Sequence, residues 1–235
     1  MSQSRIATVQ KTHWGVRYMR AFFPHDIPTP KYLSPTEPAL QAQPVTQGGR
    51  QAAWFVQLPL GQQAVLRYYR RGGMVARLLH DQYLWLGEQK TRSWAEFEVM
   101  RYLYDLEVPV PEPIWASWHR HGFYYRAALA TERVLGARTL ASTLNQVSPR
   151  PVARAIKKMH DAGVFHADLN AFNILLDAEQ AVWLIDFDRA RRCRQLSFAQ
   201  RKNNLRRLQR SLLKISGPVG GRWYQHLAQA YKSQL

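Results

Sequence analysis

The sequence predicts an α+β fold with a β-rich first half and a helix-rich second half. In the first half, short apolar and aromatic stretches are separated by Pro and Gly residues, which is typical of strands joined by turns. In the second half, apolar residues recur at intervals of three and four, which is typical of helices. The character changes near Leu135-Gly136, so we expect two lobes, residues 1–135 and residues 136–235.

Four stretches of the first half predict strands. Residues 52–58 and 63–69 are rich in apolar and aromatic residues and are separated by a short segment with Pro and Gly, so this pair predicts an antiparallel hairpin. Residues 114–118 and 124–132 predict two further strands. By contrast, residues 24–44 contain six prolines and predict an irregular loop.

One helix is predicted between these two pairs of strands, because apolar residues follow helical spacing over residues 94–106. Ser93 is placed to cap the helix, and Glu96, three residues further on, would complete a capping box. Three prolines in residues 109–113 predict that the helix has ended by then.

The second half is predicted to contain helices and short apolar segments. The predicted helices cover residues 140–144, 152–162 and 198–213. The predicted short apolar segments cover residues 164–166, 174–176 and 182–185.

Composition excludes several classes of protein. Hydrophobic residues make up 46% of the 235, which allows a sizeable core and excludes wholesale disorder. Cys193 is the single cysteine, which excludes an internal disulfide and suits a reducing compartment. The sequence has no run of 18 apolar residues and no apolar segment typical of a secretory signal near its start. We therefore expect a cytoplasmic protein without a membrane-spanning helix.

The charge of the chain predicts an anionic partner. The formal net charge is +17, and residues 189–235 contain no Asp or Glu although Arg and Lys recur throughout. Nucleic acid, phosphate-rich lipid and a phosphorylated substrate would each fit this charge. The aromatic residues of this region are not interleaved with its arginines as in a single-strand binder, so no nucleic acid partner is expected.

Two neighbouring segments predict the chemistry. Residues 166–176, His-Ala-Asp-Leu-Asn-Ala-Phe-Asn-Ile-Leu-Leu, match the kinase catalytic-loop pattern H-x-D-L-x-x-x-N. Residues 183–188, Trp-Leu-Ile-Asp-Phe-Asp, resemble the second kinase element, an acidic residue after an apolar strand. Together they predict a protein-kinase-like two-lobed fold and a protein that uses ATP and Mg²⁺.

Phosphoryl transfer explains why these residue types are needed. The reaction requires in-line placement of a hydroxyl and a γ-phosphate, with metal ions on the phosphate oxygens. Asn173 and Asp186 can supply the oxygen ligands that Mg²⁺ prefers. Asp168 is placed to orient the acceptor hydroxyl and take up its proton, whereas His166 is predicted to hold the loop by hydrogen bonding.

Upstream, the kinase pattern calls for a glycine-rich loop and a Lys–Glu pair. Gly48 and Gly49 are the candidates for the loop, whose backbone amides would cover the phosphates. Arg67 stands where the pattern has Lys, with Glu96 as its expected partner and Glu98 as the alternative.

These residues resemble the 3-deoxy-D-manno-octulosonic acid (Kdo) kinases of Gram-negative bacteria. The segments that carry the resemblance are residues 66–73, 166–176, 184–189 and 204–212. The similarity extends over residues 48–214, which is most of the chain.

The resemblance implies an enzyme that uses ATP and magnesium to phosphorylate the 4-hydroxyl of Kdo on a Kdo-linked lipid A precursor, in the biosynthesis of the lipopolysaccharide inner core. It implies a peripheral protein at the cytoplasmic face of the inner membrane. It also implies that Asp168 is catalytic, that Asn173 and Asp186 hold metal, and that Arg67 and Glu96 take the places of the phosphate-anchoring pair.

The basic C-terminal region suits such an acceptor, since Kdo carries a carboxylate and the lipid A precursor carries phosphates. Each Lys or Arg near an anionic membrane surface contributes about 1 kcal/mol of attraction. We expect residues 201–214, with Arg189, Arg191, Arg192 and Arg194, to face the membrane and the acceptor.

Departures from the protein-kinase pattern leave alternatives open. Arg67 replaces the usual Lys, Asp188 replaces a Gly, and no A-P-E element follows, which argues against a protein substrate. A kinase for a heptose of the lipopolysaccharide core, another small-molecule kinase or an RNA-associated kinase would use the same residues. A degenerate kinase acting as a binding module is the alternative that is not an enzyme, and the intact Asp168, Asn173 and Asp186 set argues against it.

Overall fold

The computed structural model describes residues 5–23, 28, 34–45, 53–58, 60–69 and 82–233, and it confirms an α+β fold. The chain divides into two compact units, the first formed by residues 1–98 and 112–133 and the second by residues 99–111 and 134–235. The division falls within helix α1, Arg92–Asp105. The last crossing from the first unit to the second follows Arg133, and residues 99–111 group with the second unit. The two lobes divided at residues 135–136 stay a prediction.

The first unit is built on one antiparallel sheet, which contains eight strands among the described residues. These strands are β1 (Ile6–Gln10), β2 (Trp14–Met19), β3 (Gln43–Pro44), β4 (Ala53–Gln57), β5 (Gln63–Tyr68), β6 (Tyr83–Leu84), β7 (Pro113–His121) and β8 (Tyr124–Glu132). Their order across the sheet is β1-β2-β7-β8-β5-β4-β3, with β6 paired to β8. The predicted hairpin β4–β5 and the predicted strands β7 and β8 are confirmed.

The core of the first unit is built from side chains of the central strands of this sheet. Val16, Leu66, Ile114, Trp115 and Ala130 are fully buried there, and they come from four different strands. Burial of apolar area on this scale contributes about 25 cal/mol per Å² to stability. The sheet therefore provides a rigid support for the side chains on its strands and on α1.

The β1–β2 hairpin, for which the sequence analysis made no prediction, adds the outer strands beside β7. Gly15 is opposite Trp118 in this pairing, and a Cβ on Gly15 would lie 2.1 Å from the indole ring. Only glycine fits at this position, because any side chain would displace Trp118 from the sheet.

The start of α1 corrects the predicted capping box. Thr91 is the capping residue, since its hydroxyl oxygen accepts a hydrogen bond from the Trp94 amide at 3.4 Å. Ser93 lies inside the helix, and its hydroxyl donates to the Ser117 carbonyl at 2.9 Å. Glu96 is therefore not part of a capping box, and its carboxylate bonds to other residues of the first unit.

The second unit is mainly helical, with two small antiparallel sheets among its described residues. Its elements after α1 are β9 (Arg138–Thr139), α2 (Leu140–Thr143), α3 (Pro149–Asp161), β10 (Val164–Phe165), β11 (Ile174–Leu176), β12 (Val182–Leu184), β13 (Arg191–Arg192) and α4 (Phe198–Lys232). One sheet has the order β12-β11-β9, and the other pairs β10 with β13. The predicted helices over residues 140–144 and 152–162 are confirmed.

The final helix, predicted over residues 198–213, extends much further, to Lys232. It reverses direction at Gly217, whose backbone is non-helical with φ 51° and ψ −131°, and Pro218 follows. A straight helix would hold Asn204 and Tyr231 about 40 Å apart. In the structure both residues hydrogen-bond to the ring of His160, so α4 folds back on itself as a helical hairpin against α3.

A glycine also fixes the end of α3. Gly163 has φ +75°, and a Cβ there would lie 2.2 Å from the carbonyl oxygen of Cys193. This close approach allows the Cys193 amide to donate to the Gly163 carbonyl at 2.8 Å. The chain therefore enters the strand before residue 166 in a defined position.

In the portion of the chain that the structure describes, no helix is both long enough and apolar enough to cross a bilayer.

Candidate active site

The short hairpin β11–β12 brings the two predicted metal ligands to one end of a sheet. Ile174 pairs with Leu184 in the register of the hairpin, so Asn173 precedes one strand where Asp186 follows the other. The Ile185 amide donates to the Asn173 carbonyl at 3.1 Å, which extends the pairing by one residue. Residues separated widely in sequence therefore come together through regular strand pairing.

The side chain of Asn173 is oriented by the catalytic loop. Its amide nitrogen donates to the Asp168 carbonyl at 2.9 Å. Within the described residues its Oδ1 accepts no hydrogen bond, although the residue is 9% exposed. An amide oxygen that no protein donor engages fits a role as a metal ligand.

Two further local bonds shape the turn between Asp168 and Asn173. The side chain of Asn170 donates to the Asp168 carbonyl at 3.0 Å and accepts from the Phe172 amide at 2.8 Å. Asparagine is suited to such turns because its side chain can replace backbone partners. These bonds fix the turn between Asp168 and Asn173 locally.

His166 holds this loop to the segment that carries Asp186. Its Nδ1 accepts from the Asp168 amide at 3.1 Å, and its Nε2 lies 3.0 Å from the Ile185 carbonyl, to which it can only donate. These partners require the neutral ring with the proton on Nε2. Burial lowers the pKa of His166, which also favours the neutral form. The predicted hydrogen-bonding role of His166 is confirmed.

Asp186 lies two residues after the end of β12 in an unusual backbone conformation. Its φ is +64°, in the left-handed region that Asp enters more readily than most residues. The side chain is partly buried, and Phe187 next to it is 1% exposed and packs on the His166 ring at a centroid distance of 4.8 Å. The buried Phe187 therefore fixes the position from which the Asp186 side chain projects.

Asp168 carries the predicted catalytic carboxylate, which is about half exposed. Arg207 of α4 donates to a single oxygen of this carboxylate, from Nε at 2.8 Å and from Nη2 at 2.6 Å. In the sequence, Arg207 is predicted only as one member of a basic face. No sequence signal identifies this contact, because it joins residues 39 apart; Asn204, three residues earlier on the same helix face, contacts the same loop only in the folded structure.

The first unit contains the predicted Arg67–Glu96 pair. One terminal nitrogen of Arg67 contacts both carboxylate oxygens of Glu96 at 2.5 Å, and the Glu96 side chain is 1% exposed. Tyr69 donates its hydroxyl to the same carboxylate at 2.5 Å. Burial, together with the Glu96 charge, raises the pKa of Tyr69 well above its usual value, so this hydroxyl stays protonated.

Two other upstream predictions have different outcomes. Glu98, the alternative partner, forms its ion pair with Arg17 of β2, so Glu96 is the partner of Arg67. Gly48 and Gly49, predicted to cover the phosphates, lie outside the described residues.

The residues of the β11–β12 end fit a magnesium ion. Over the residues that the structure describes, there is no group of three His, Cys, Asp or Glu side chains placed to hold a metal. Magnesium, however, is usually bound by one or two carboxylates together with substrate phosphates and water. An amide oxygen from Asn173 and a carboxylate from Asp186 match that smaller donor set.

Kinase-like phosphotransferases typically combine a catalytic loop of this pattern with an aspartate that follows an apolar strand. This structure has both features, and the β11–β12 hairpin joins them. Residues 38–231 match the family model described as "Lipopolysaccharide kinase (Kdo/WaaP) family". The chain belongs to this family, whose members are kinases and so use ATP as the phosphate donor.

Similar proteins include several named 3-deoxy-D-manno-octulosonic acid kinase. The one from Stenotrophomonas maltophilia (strain K279a) is 48% identical over 189 residues, which cover 79% of this chain and 75% of that protein. The one from Xanthomonas campestris pv. campestris (strain B100) is 50% identical over 190 residues, with the same coverage. The one from Xanthomonas oryzae pv. oryzae (strain PXO99A) is 46% identical over 209 residues, which cover 85% of this chain and 83% of that protein.

Proposed function

We propose that this protein transfers the γ-phosphate of ATP to the 4-hydroxyl of Kdo on a Kdo-linked lipid A precursor. The observation that carries the proposal is the β11–β12 hairpin, whose open end bears Asn173 and Asp186 beside the loop of Asp168. The names of the similar proteins support Kdo as the acceptor sugar.

In this reaction Asp168 is the catalytic base. The acceptor hydroxyl forms a new bond to the γ-phosphorus, the bond from that phosphorus to the ADP oxygen breaks, and the hydroxyl proton passes to the Asp168 carboxylate. The half-exposed position of this carboxylate supports the role, because an acceptor can reach it. His166 stays neutral and holds the Asp168 amide, so it positions the base and does not compete for the proton.

Asn173 and Asp186 would hold a magnesium ion. Such an ion, when bound, neutralises the charge of the phosphate oxygens. The hydrogen bond from the Asn173 side chain to the Asp168 carbonyl fixes which atom of the amide is turned towards the loop. This bond supports Oδ1 as the ligand atom.

In the first unit, Arg67 would contact nucleotide phosphate and Glu96 would hold it in place. The ion pair and the Tyr69 hydroxyl, all on the sheet and α1, make a rigid support for the guanidinium group. Arginine presents a planar fork where other kinases present a compact ammonium, so the contact with phosphate would differ in shape.

We further propose that exposed basic residues of the second unit attract the protein to an anionic surface at the cytoplasmic face of the inner membrane. Two of the residues expected to contribute are instead engaged within the protein, since Arg201 pairs with Asp161 and Arg207 with Asp168. Exposed members of the same set remain, and they are Arg189, Arg191, Arg192, Arg194, Lys202, Arg206, Arg210 and Lys214. Flotation of the Arg206→Gln/Arg210→Gln variant with anionic vesicles should fall relative to an Arg222→Gln control. Equal binding of the wild-type protein to neutral and anionic vesicles would contradict this role.

The catalytic proposal is tested by incubating the protein with γ-labelled ATP, magnesium and a Kdo-linked lipid A precursor, and then locating the new phosphate by mass spectrometry and NMR. We expect the label on the 4-hydroxyl of Kdo. Parallel reactions contain a precursor without Kdo, a heptose-bearing core acceptor and an RNA oligonucleotide. Transfer to heptose or RNA without transfer to Kdo would overturn the proposed acceptor.

A further inference from the structure

One side of α4 contacts the catalytic loop at three points. The contacting residues are Asn204, Arg207 and Ser211, which follow the i, i+3 and i+7 spacing of one helix face. Together they bond to the loop between His166 and Ala171. The helix therefore serves as a support along most of the segment that carries the proposed base.

Asn204 fixes the start of the loop. Its amide nitrogen donates to the His166 carbonyl at 2.7 Å, and its Oδ1 accepts from the His166 amide at 3.1 Å. The same Oδ1 lies 3.2 Å from Nε2 of His160, and both Asn204 and His160 are fully buried. At the other end of this helix face, the Ser211 hydroxyl accepts a hydrogen bond from the Ala171 amide at 3.1 Å.

Arg207, between these two anchors, contacts the carboxylate of the base itself. Both of its hydrogen bonds end on Oδ1 of Asp168. From the part of the chain that the structure describes, Oδ2 of the same carboxylate receives no hydrogen bond. Two donors on one oxygen fix the rotation of the carboxylate and leave the second oxygen for an incoming hydroxyl.

The catalytic loop itself has no cation to perform this task. Residues 166–173 contain no Lys or Arg, and Asn170, two positions after Asp168, and Phe172, four positions after it, are both uncharged. The positive charge beside the carboxylate therefore comes from a helix 39 residues further along the chain.

We propose that Arg207 is a positioning residue, which holds Oδ1 of Asp168 so that Oδ2 accepts the proton of the acceptor hydroxyl, while Asn204 and Ser211 hold the loop on either side. This inference rests on the proposed function. The guanidinium group of Arg207 acts through Asp168. It donates from two nitrogens to one carboxylate oxygen, whereas the ammonium group of a lysine has a single nitrogen.

The test compares steady-state phosphorylation of the Kdo-linked lipid A precursor by the wild-type protein, Arg207→Gln, Arg207→Lys and Arg222→Gln. Arg222 is also an exposed arginine of α4, but it lies beyond the reversal at Gly217, so its variant controls for loss of one positive charge. We expect Arg207→Gln to lower kcat about a hundredfold, because misplacing a reacting group by about 1 Å has an effect of this size. The KM for ATP and the thermal midpoint should stay close to the control values.

Two further readouts separate positioning from general structural support. Methylguanidinium added to Arg207→Gln should restore part of kcat and should not change the control. Arg207→Lys should retain more activity than Arg207→Gln and less than the wild-type protein, because it keeps the charge and loses the fork.

The outcomes distinguish this inference from the proposal on which it rests. A wild-type protein that transfers no phosphate to the precursor would overturn both. An active wild-type protein with an equally active Arg207→Gln variant would overturn the role of Arg207 alone. So would a loss of activity that follows a lower thermal midpoint and that methylguanidinium does not restore.

Discussion

The two units hold their functional side chains in different ways. In the second unit, a continuous loop of eight residues and one strand hairpin place Asp168, Asn173 and Asp186 through backbone pairing and local turns. In the first unit, Arg67 and Glu96 come from a strand and a helix, and a buried ion pair joins them. The second unit combines backbone pairing and local turns with support from α4, whereas the first unit depends on one buried ion pair between a strand and a helix.

The exposure of the functional carboxylates also differs between the two units. The Asp168 side chain is 47% exposed, whereas the Glu96 side chain is 1% exposed. A half-exposed carboxylate contributes little to stability and is available to a substrate, while a buried carboxylate must keep its partners. The comparison predicts that changes in the second unit's loop affect rate and that changes in the first unit's ion pair affect stability.

The largest effect should come from Asp168→Asn. Loss of the general base is expected to lower kcat about a thousandfold, with the thermal midpoint unchanged. Phosphate transfer from labelled ATP measures the first quantity and circular dichroism the second. Glu179→Gln, an exposed change in the turn between β11 and β12, serves as the control. Near-normal turnover by Asp168→Asn would contradict both the mechanism and the comparison.

Glu96→Ala tests the first unit in the complementary way. Removing a buried carboxylate leaves Arg67 and the Tyr69 hydroxyl without that partner, so the free energy of unfolding should fall by about 3 kcal/mol. Urea unfolding measures this change. Glu98→Ala, two residues away with a side chain 42% exposed, should cost less than about 1 kcal/mol. Equal losses in the free energy of unfolding for the two variants would show that the buried ion pair stabilises the protein no more than the exposed one.

A pH dependence of stability should arise in the second unit. Burial lowers the pKa of His160 to about 4, from a usual value of 6.5. The unfolded chain therefore binds a proton that the folded chain does not between these values, and stability falls as the pH decreases from 6.5 towards 4. The loss from this residue should reach about 3 kcal/mol.

Urea unfolding at several pH values checks this prediction, with His160→Gln as the matched variant. In the variant, the free energy of unfolding should change less steeply with pH over the same range. Some pH dependence should remain from His166, because burial lowers its pKa as well. Identical slopes for the variant and the wild-type protein would show that His160 is not the group responsible.

The smallest effect should come from Arg67→Lys. Lysine keeps the positive charge and can still pair with Glu96, but it loses the planar fork. We expect the KM for ATP to rise several-fold, with kcat changed less than in Asp168→Asn. Steady-state kinetics at varied ATP concentration measures both. A kcat loss as large as that of Asp168→Asn would mean that the first unit also sets the chemical step.

Several features could be predicted because they depend on short-range pattern. The hairpin β4–β5, the strands β7 and β8, and the helices α2 and α3 follow from alternation and helical spacing. The role of His166 in holding the loop also followed from the motif. The capping box at Ser93 was wrong, because the Ser117 carbonyl is a partner that only the folded sheet supplies.

The sequence by itself determined the motif and the identity of the proposed ligands and base, since each depends on residue type at a fixed spacing. It left Glu96 and Glu98 open as partners of Arg67, and packing decided for Glu96. Tertiary structure alone decided that α4 reverses at Gly217 and that Arg207 reaches the carboxylate of Asp168. The physical reason is distance along the chain. Contacts between residues a few positions apart can be predicted from the local spacing of residue types. The contact between Asp168 and Arg207, which are 39 residues apart, forms only after helices and strands have packed.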